Sequence, residues 1–377
     1  MERRKYLRLL ILIGVLALIA GWEVTREYRP PILKPGARLY AYVANAGDGT
    51  VSVVDLVALK TIAAIPVGPS PAGLRVLPQR KEIWGVSNSP GGDGGYAWVI
   101  AAGGAAVNAR IPVGPLPSAV EFSSDGRRAY IASSGSNQVL RIDTASRQVS
   151  ARAHTGNRPW LARLTPNSRL LLVPNHDDST LQVFDAQTLA PIATIGVAEH
   201  PEDVVALPDS SVAFVAAPDA GKISVVDLKR NVLLSNLQLS GAPHAMILKP
   251  DGGELYVTVP DLHEIEIINT WTAEIAESML VGLAPESGAL TANADSLYLS
   301  DPAAGRVLPI AIGERHLASP ITVGREPVAC RIDPSGEFVL VANQDSNDLA
   351  VIRLRTSSLL TMVPVGSHPT DIVSLLF

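Results

Sequence analysis

The chain is poor in cysteine and in charge. A single Cys among 377 residues excludes a disulfide scaffold and any zinc or iron–sulfur centre built from several thiolates. It also excludes a Cys-x-x-Cys-His segment, and with it covalent c-type haem. Charged residues make up 18% and the formal net charge is −5. That composition lacks the basic footprint that phosphate contacts need, so no nucleic-acid partner is expected. Low charge combined with 47% hydrophobic residues excludes a disordered chain. Glycine and proline are plentiful instead, at 30 and 29 residues, which points to many turns.

Long apolar runs are scarce, and the amino terminus holds the notable one. Arg3, Arg4, Lys5 and Arg8 precede an uncharged stretch from Leu9 to Trp22, 14 residues long. A bilayer-spanning helix needs about 20 apolar residues, whereas the core of a signal peptide needs about 7–15. Residues 1–22 therefore read as a signal peptide, or as a short uncleaved anchor if Arg8 snorkels and Trp22 sits at the interface. In both cases the basic cluster stays cytoplasmic and the remainder is extracytoplasmic, in the periplasm or at the cell surface. Membrane contact is expected through this segment alone. No Cys lies near residue 20, which excludes lipidation there. Residues 23–36 are polar and Pro-rich and read as a linker.

The dominant feature is an internal repeat. A link of the form Val-Gly-x-x-Pro ends at Pro71 and Pro117, with variants at Pro159, Pro201 and Pro243, and returns at Pro285, Pro327 and Pro369. Successive prolines are 46 residues apart once and 42 apart six times. Between links, each unit carries short runs rich in Val, Ile and Leu, bounded by turn residues such as Ser124-Asp125-Gly126 and Pro250-Asp251-Gly252. These runs read as strands, four per unit. Four short strands per repeat is the pattern of a β-propeller blade, whose apolar faces are buried only by stacking around a closed ring.

Tyr42-Val43-Ala44-Asn45 and Tyr256-Val257-Thr258, the runs VSVVD and ISVVD, and the Val-Gly-x-x-Pro link resemble the YVTN family of β-propeller repeats over residues 37–377. The resemblance implies the fold and leaves the activity open. The first unit lacks an innermost strand, and Pro369–Leu375 supplies one with nothing after it. The expected fold is all-β: eight four-stranded blades, closed by the carboxy-terminal innermost strand joining three amino-terminal strands. Seven blades is the alternative, and the family norm. Eight blades resemble the haem-d1 domains of cytochrome cd1-type proteins and the quinoprotein dehydrogenases.

In such a ring the links and the loops between second and third strands share one face, around the channel mouth. The links place Arg158, Trp160, Glu199, His200, Glu202, Asp203, His244, Glu286, Arg325, Glu326, His368 and Asp371 there; the loops add His176-Asp177-Asp178, Asp219 and Asp261-Leu262-His263. A ligand- or partner-binding rim is expected at Arg158, Trp160, His176, His200, His244, Arg325, Glu326 and His368. The histidines could serve as metal or axial haem ligands, but hydrogen-bonded rim residues are the expected reading. His176-Asp177-Asp178 could hold a cation, but a solvated polar loop is the expected reading. The Gly-rich stretch 88–95 precedes a strand, not a helix, so it reads as loop variation or a flap and not a phosphate cradle. Asp55, Asp143, Asp185 and Asp227 recur at one strand end and read as turn caps. Arg75, Glu121, Arg163 and Arg331 stand four residues after their link prolines, to line the channel or pair between blades. Cys330 reads as a buried apolar residue.

No catalytic or metal-binding set is recognisable, and the cofactor is left open between none, the first expectation, and a non-covalent haem. The leading expectation is a non-catalytic scaffold binding a protein or small-molecule ligand at the rim. The alternatives are a propeller associated with non-covalent haem d1 or a quinone, and a lactonase-like hydrolase.

Overall fold

A computed structural model describes residues 33–87 and 94–377. The leader at residues 1–22, most of the linker 23–36 and most of the Gly-rich stretch lie outside the described residues. The structural unit from Pro35 to Phe377 is built of eight antiparallel sheets. Each sheet is one sequence repeat, displaced by one strand at the ends.

Blade 1 pairs the carboxy-terminal strand Pro369–Leu376 with Leu39–Asn45, followed by Thr50–Asp55 and Lys60–Pro66. The closing register runs from Leu39 opposite Leu376 to Asn45 opposite Pro369. Blade 2 starts at Pro71–Leu77, blade 3 at Glu121–Phe122, blade 4 at Arg163–Leu164 and blade 5 at Asp203–Ala206. Blades 6, 7 and 8 start at Met246–Leu248, Gly288–Leu290 and Pro327–Ile332. The outer strand of blade 7 is broken into His316–Leu317 and Ile321–Thr322, with Pro320 between them. Proline has no N–H to give to the ladder.

Second and third strands are buried almost throughout, because both of their faces meet neighbouring blades. Among the described residues, apolar clusters span two consecutive blades, for example Tyr42 and Val53 of blade 1 with Leu74 and Trp98 of blade 2. The same holds at each joint through to blades 7 and 8. Between blades 8 and 1, Arg331 pairs with Asp371 at 3.3 Å and Thr61 donates to the Pro364 carbonyl. Aromatic wedges reach across joints: Tyr130 donates to the Ala186 carbonyl at 2.6 Å, and the Gly103 N–H donates to the Tyr42 hydroxyl at 2.8 Å. An aromatic ring fills such a joint while its hydroxyl stays satisfied.

The repeated aspartates cap turns, as expected. Asp55 accepts the N–H groups of Val57 and Ala58, and Asp143, Asp185, Asp227 and Asn269 do the same at their own turns. Cys330 is fully buried between blades 7 and 8, and burial pushes its thiol up to about 12.

Candidate functional site

Links and second-to-third loops are knitted together. The His176 N–H donates to the Arg158 carbonyl at 3.0 Å, Gln344 to Glu326 at 2.8 Å, and Ala46 to His368 at 2.9 Å. Both loop types therefore form one rim. In six links the residue before the proline is held left-handed, at φ 46–54°: Ser70, Leu116, Arg158, His200, Glu326 and His368. That conformation is uncommon for residues with a Cβ. It is held by neighbouring loops: the Arg158 N–H donates to the Asn137 Oδ1, and the His368 N–H to the Asn347 Oδ1, both at 2.9 Å.

On blades 4 and 5 this frame assembles a continuous stack. The Arg158 guanidinium lies 5.3 Å from the Trp160 ring centroid. Trp160 stacks on His176 at 5.3 Å and 22°, and His176 stacks on His200 at 4.5 Å and 13°. Carboxylates hold the edges. His176 Nδ1 donates to Asp177 at 2.7 Å, and His200 Nδ1 to Asp219 at 2.8 Å. His176 Nε2 faces Glu202 at 3.7 Å, and Arg158 approaches Asp177 at 3.6 Å. The hydrogen bond from His176, with Arg158 beside it, holds the Asp177 carboxyl below its ordinary value. Burial pushes the Glu202 carboxyl up, and Asp219 adds to this; His176, Arg158 and His244 oppose it.

The sequence expectation for His176 needs correction. It does not sit in a solvated loop. It is 7% exposed, sandwiched between Trp160 and His200, while Asp177 beside it stays in solvent. His244 lies near Glu202 but outside the stack and is exposed. Arg325, Glu326 and His368 are brought to another sector. There Arg325 donates to the Asp345 carbonyl at 3.1 Å, and His368 Nδ1 lies 3.2 Å from the Ser367 hydroxyl. A depression of about 580 Å³ between blades 7 and 8 is lined by Glu286, Arg325, Glu326 and Asp345. A smaller one of about 390 Å³ lies between Leu116, Asn137, Arg158 and Asp177.

Glu326 is held above the ordinary carboxyl value, because it shares a hydrogen bond with Asp345 and also feels Glu286. A raised folded-state value favours the fold below the unfolded carboxyl value, and that benefit is lost as pH rises through the folded one. Glu326→Gln is therefore expected to melt roughly a degree higher than the parent at pH 7. The difference should vanish below about pH 4. Thermal denaturation across this range checks it.

Two residues assigned to the rim lie instead in the channel. Asp203 and Asp371, on innermost strands, join Arg163, Glu121 and Arg331 there. Arg163 meets Asp203 at 3.3 Å and Glu121 at 3.6 Å, and Arg331 meets Asp371 at 3.3 Å. Arg75 stands between Asp371 and Glu121, its guanidinium pushed down by burial and by Arg163. Charge of alternating sign thus runs around blades 8, 1, 2, 3, 4 and 5. Blades 6 and 7 carry no charge at either repeat position: Ala245 and Ser287 stand two residues after their link prolines, where blades 5 and 1 have Asp203 and Asp371, and Ile247 and Ala289 stand four after. Pairing between blades holds for Glu121, Arg163 and Arg331, while Arg75 donates to the Leu74 carbonyl of its own strand at 2.8 Å.

The rim also carries apolar groups that a search for polar residues passes over. Leu262, Leu280 and Leu283 are 41%, 73% and 51% exposed at the upper edge of blade 6. Leu262 and Leu283 occupy loop and link positions, which is the signal that identifies them in the repeat.

No protein-family model matches the chain, and no curated protein matches its sequence. Solved structures match its fold. The dihydro-haem d1 dehydrogenase NirN, in complex with DHE, superposes with a TM-score of 0.77 at 16% identity, over 93% of this chain and 78% of that one. The hydrazine synthase of Kuenenia stuttgartiensis gives 0.61 at 19% identity, over 75% of this chain and 95% of that one. The Cps50 (Swd1) β-propeller domain of Myceliophteria thermophila gives 0.60 at 11% identity, over 75% and 96%. At these identities the likeness is one of fold.

Proposed function

We propose that this protein is an exported, non-catalytic binding propeller that captures a basic protein on its channel rim. The carrying observation is the charge of that rim. Among the described residues, its links and loops hold Asp48, Asp177, Asp178, Glu199, Glu202, Asp219, Asp261, Glu286, Glu326 and Asp345. Against these ten carboxylates stand two guanidinium groups, Arg158 and Arg325, and no lysine. Such a field steers and orients a cationic partner. The exposed leucines of blade 6 and the Trp160 stack supply the apolar and aromatic anchors typical of protein interfaces. The two open depressions suit side chains better than an engulfed small molecule. Export rests on the basic and apolar pattern of residues 1–22, which also supports membrane association.

The likeness to a haem-d1 enzyme favours a second reading, a tetrapyrrole on the same face with a rim histidine beneath it. The carboxylates of a haem-type ligand would meet a rim rich in carboxylates, so this reading stands second. The lactonase reading gains no specific observation.

A photo-crosslinking residue at Leu283, introduced into the full chain in its native host, tests the proposal. The expected result is a small set of basic proteins, captured less as salt rises. Glu199→Lys combined with Asp219→Lys should reduce capture at least tenfold, about 1.4 kcal/mol. The same probe at Trp271, 81% exposed on the opposite face, should not capture them. Captured proteins no more basic than those at Trp271 overturn the reading. A Soret-type absorption band in the untreated protein would favour the tetrapyrrole.

A further inference from the structure

We propose that the upper edge of blade 6 holds one divalent cation of the calcium class, bound by Glu264, Glu266 and the Ser240 hydroxyl. The inference does not depend on the nature of any partner.

Glu264 and Glu266 stand two residues apart on the third strand of blade 6, Glu264–Asn269, so both project from one face of the sheet. Ser240, in the link that enters this blade, meets both of them. Its N–H donates to Glu266 Oε1 at 2.7 Å. Its hydroxyl contacts Glu264 Oε1 at 2.5 Å and also Glu266 Oε1. Ser278, on the outer strand, donates to Glu264 Oε2 at 3.0 Å.

Glu266 carries the argument. It is 2% exposed, and its Oε2 has no hydrogen-bond partner. Among the described residues, neither carboxylate takes part in an ion pair. A buried carboxylate with no counter-charge is strongly unfavourable. The fold itself needs no charge there. At the same repeat position Ser52, Gln182 and Ser224 accept the equivalent link N–H groups, from Gly366, Gly156 and Ala198. Neutral side chains thus do the structural job on blades 1, 4 and 5.

One hydroxyl has one proton. Ser240 donates to Glu264 or to Glu266, and its other contact then sets two acceptors against each other. A positive charge among these oxygens resolves the conflict. A proton on Glu266 Oε1 could bridge to Ser240, but Oε2 would stay unpartnered. A proton on Oε2 would have no acceptor. A calcium-type ion takes about six to eight oxygen ligands in a flexible geometry, so it can engage both carboxylates and the hydroxyl at once. The ligands are all oxygen, with no imidazole or thiolate, which disfavours the softer transition metals. Magnesium demands a more rigid octahedron and gives up its waters reluctantly. Ser240 and Ser278 are exposed, which leaves an entry path and room for water ligands.

The experiment uses the full chain, stripped with chelator and titrated with Ca²⁺ by calorimetry. The expected result is one equivalent bound, with a dissociation constant below about 1 mM. At a roughly hundredfold excess over that constant the melting point should rise by about 4 °C, and by less with the same concentration of Mg²⁺. Glu264→Gln and Glu266→Gln should each weaken binding at least tenfold. Asp219→Asn, which removes a carboxylate elsewhere on the rim, should leave the titration unchanged. In chelator, Glu266→Gln should melt at or above the parent, because an uncompensated buried charge is gone. Glu264 is half-buried, and its variant tests the site even if Glu266→Gln fails to fold. No stoichiometric Ca²⁺ uptake by the parent overturns the site and leaves a proton as the compensating charge. Binding that survives both glutamine variants overturns it as well.

Discussion

Removing Pro369–Phe377 is expected to abolish the cooperative melting of the ring. This strand makes the whole inner ladder of blade 1, from Leu39 opposite Leu376 to Asn45 opposite Pro369. Ile372 is fully buried and Leu375 nearly so, and each such side chain contributes about 1.5–3 kcal/mol. Phe377 packs edge-on against Tyr40 at 5.5 Å. Asp371 accepts the Leu74 N–H at 2.9 Å and pairs with Arg331, tying blade 1 to blades 2 and 8. The backbone bonds add about 1 kcal/mol each. Together these terms match the whole stability of an ordinary domain, about 5–15 kcal/mol. Calorimetry should show no cooperative transition, or one lowered by more than about 15 °C. A synthetic peptide of residues 369–377, added in excess, should restore it. A melting point within about 3 °C of the parent would refute closure as the source of stability.

Arg163→Met is expected to cost about 2 kcal/mol. That is below the ~3–5 kcal/mol for breaking a fully buried pair, because the Arg163 side chain is 29% exposed. Burial works against the Arg163 charge, yet Asp203 and Glu121 outweigh it and hold the guanidinium above its ordinary value. Without it, two carboxylates face each other across blades 3 to 5. Their mutual repulsion needs both to be ionised, so the deficit is largest at neutral pH and narrows toward pH 4. Adding Glu121→Gln and Asp203→Asn should recover most of the loss. Urea denaturation at the two pH values reads both effects, and a triple variant no better than Arg163→Met would sink the account.

The fold was legible because its strands repeat. The link prolines mark every blade, and the offset between Leu39–Asn45 and its counterpart Phe338–Asn343 shows which strand is missing. Side-chain depth was less legible. The period assigns His176 to a face, but only the convergence of Trp160 and His200 from other segments buries it. Asp203 and Asp371 follow their link prolines by two residues, far enough along the innermost strand to enter the channel. Leu280 ends an outer strand and Leu283 sits in a link, where the repeat pattern does not separate an exposed leucine from a buried one.

The closing strand has a mechanical consequence. Arg38 and Phe377 exchange both backbone hydrogen bonds at one end of the pairing, at 2.8 and 3.0 Å. Tension applied between these two residues peels the ladder rung by rung, as a zipper opens, rather than straining all rungs at once in shear. A molecule held by its amino end is thus weakest against a tug on its carboxyl end, and a load borne at the rim passes instead through the stiffer blade stack.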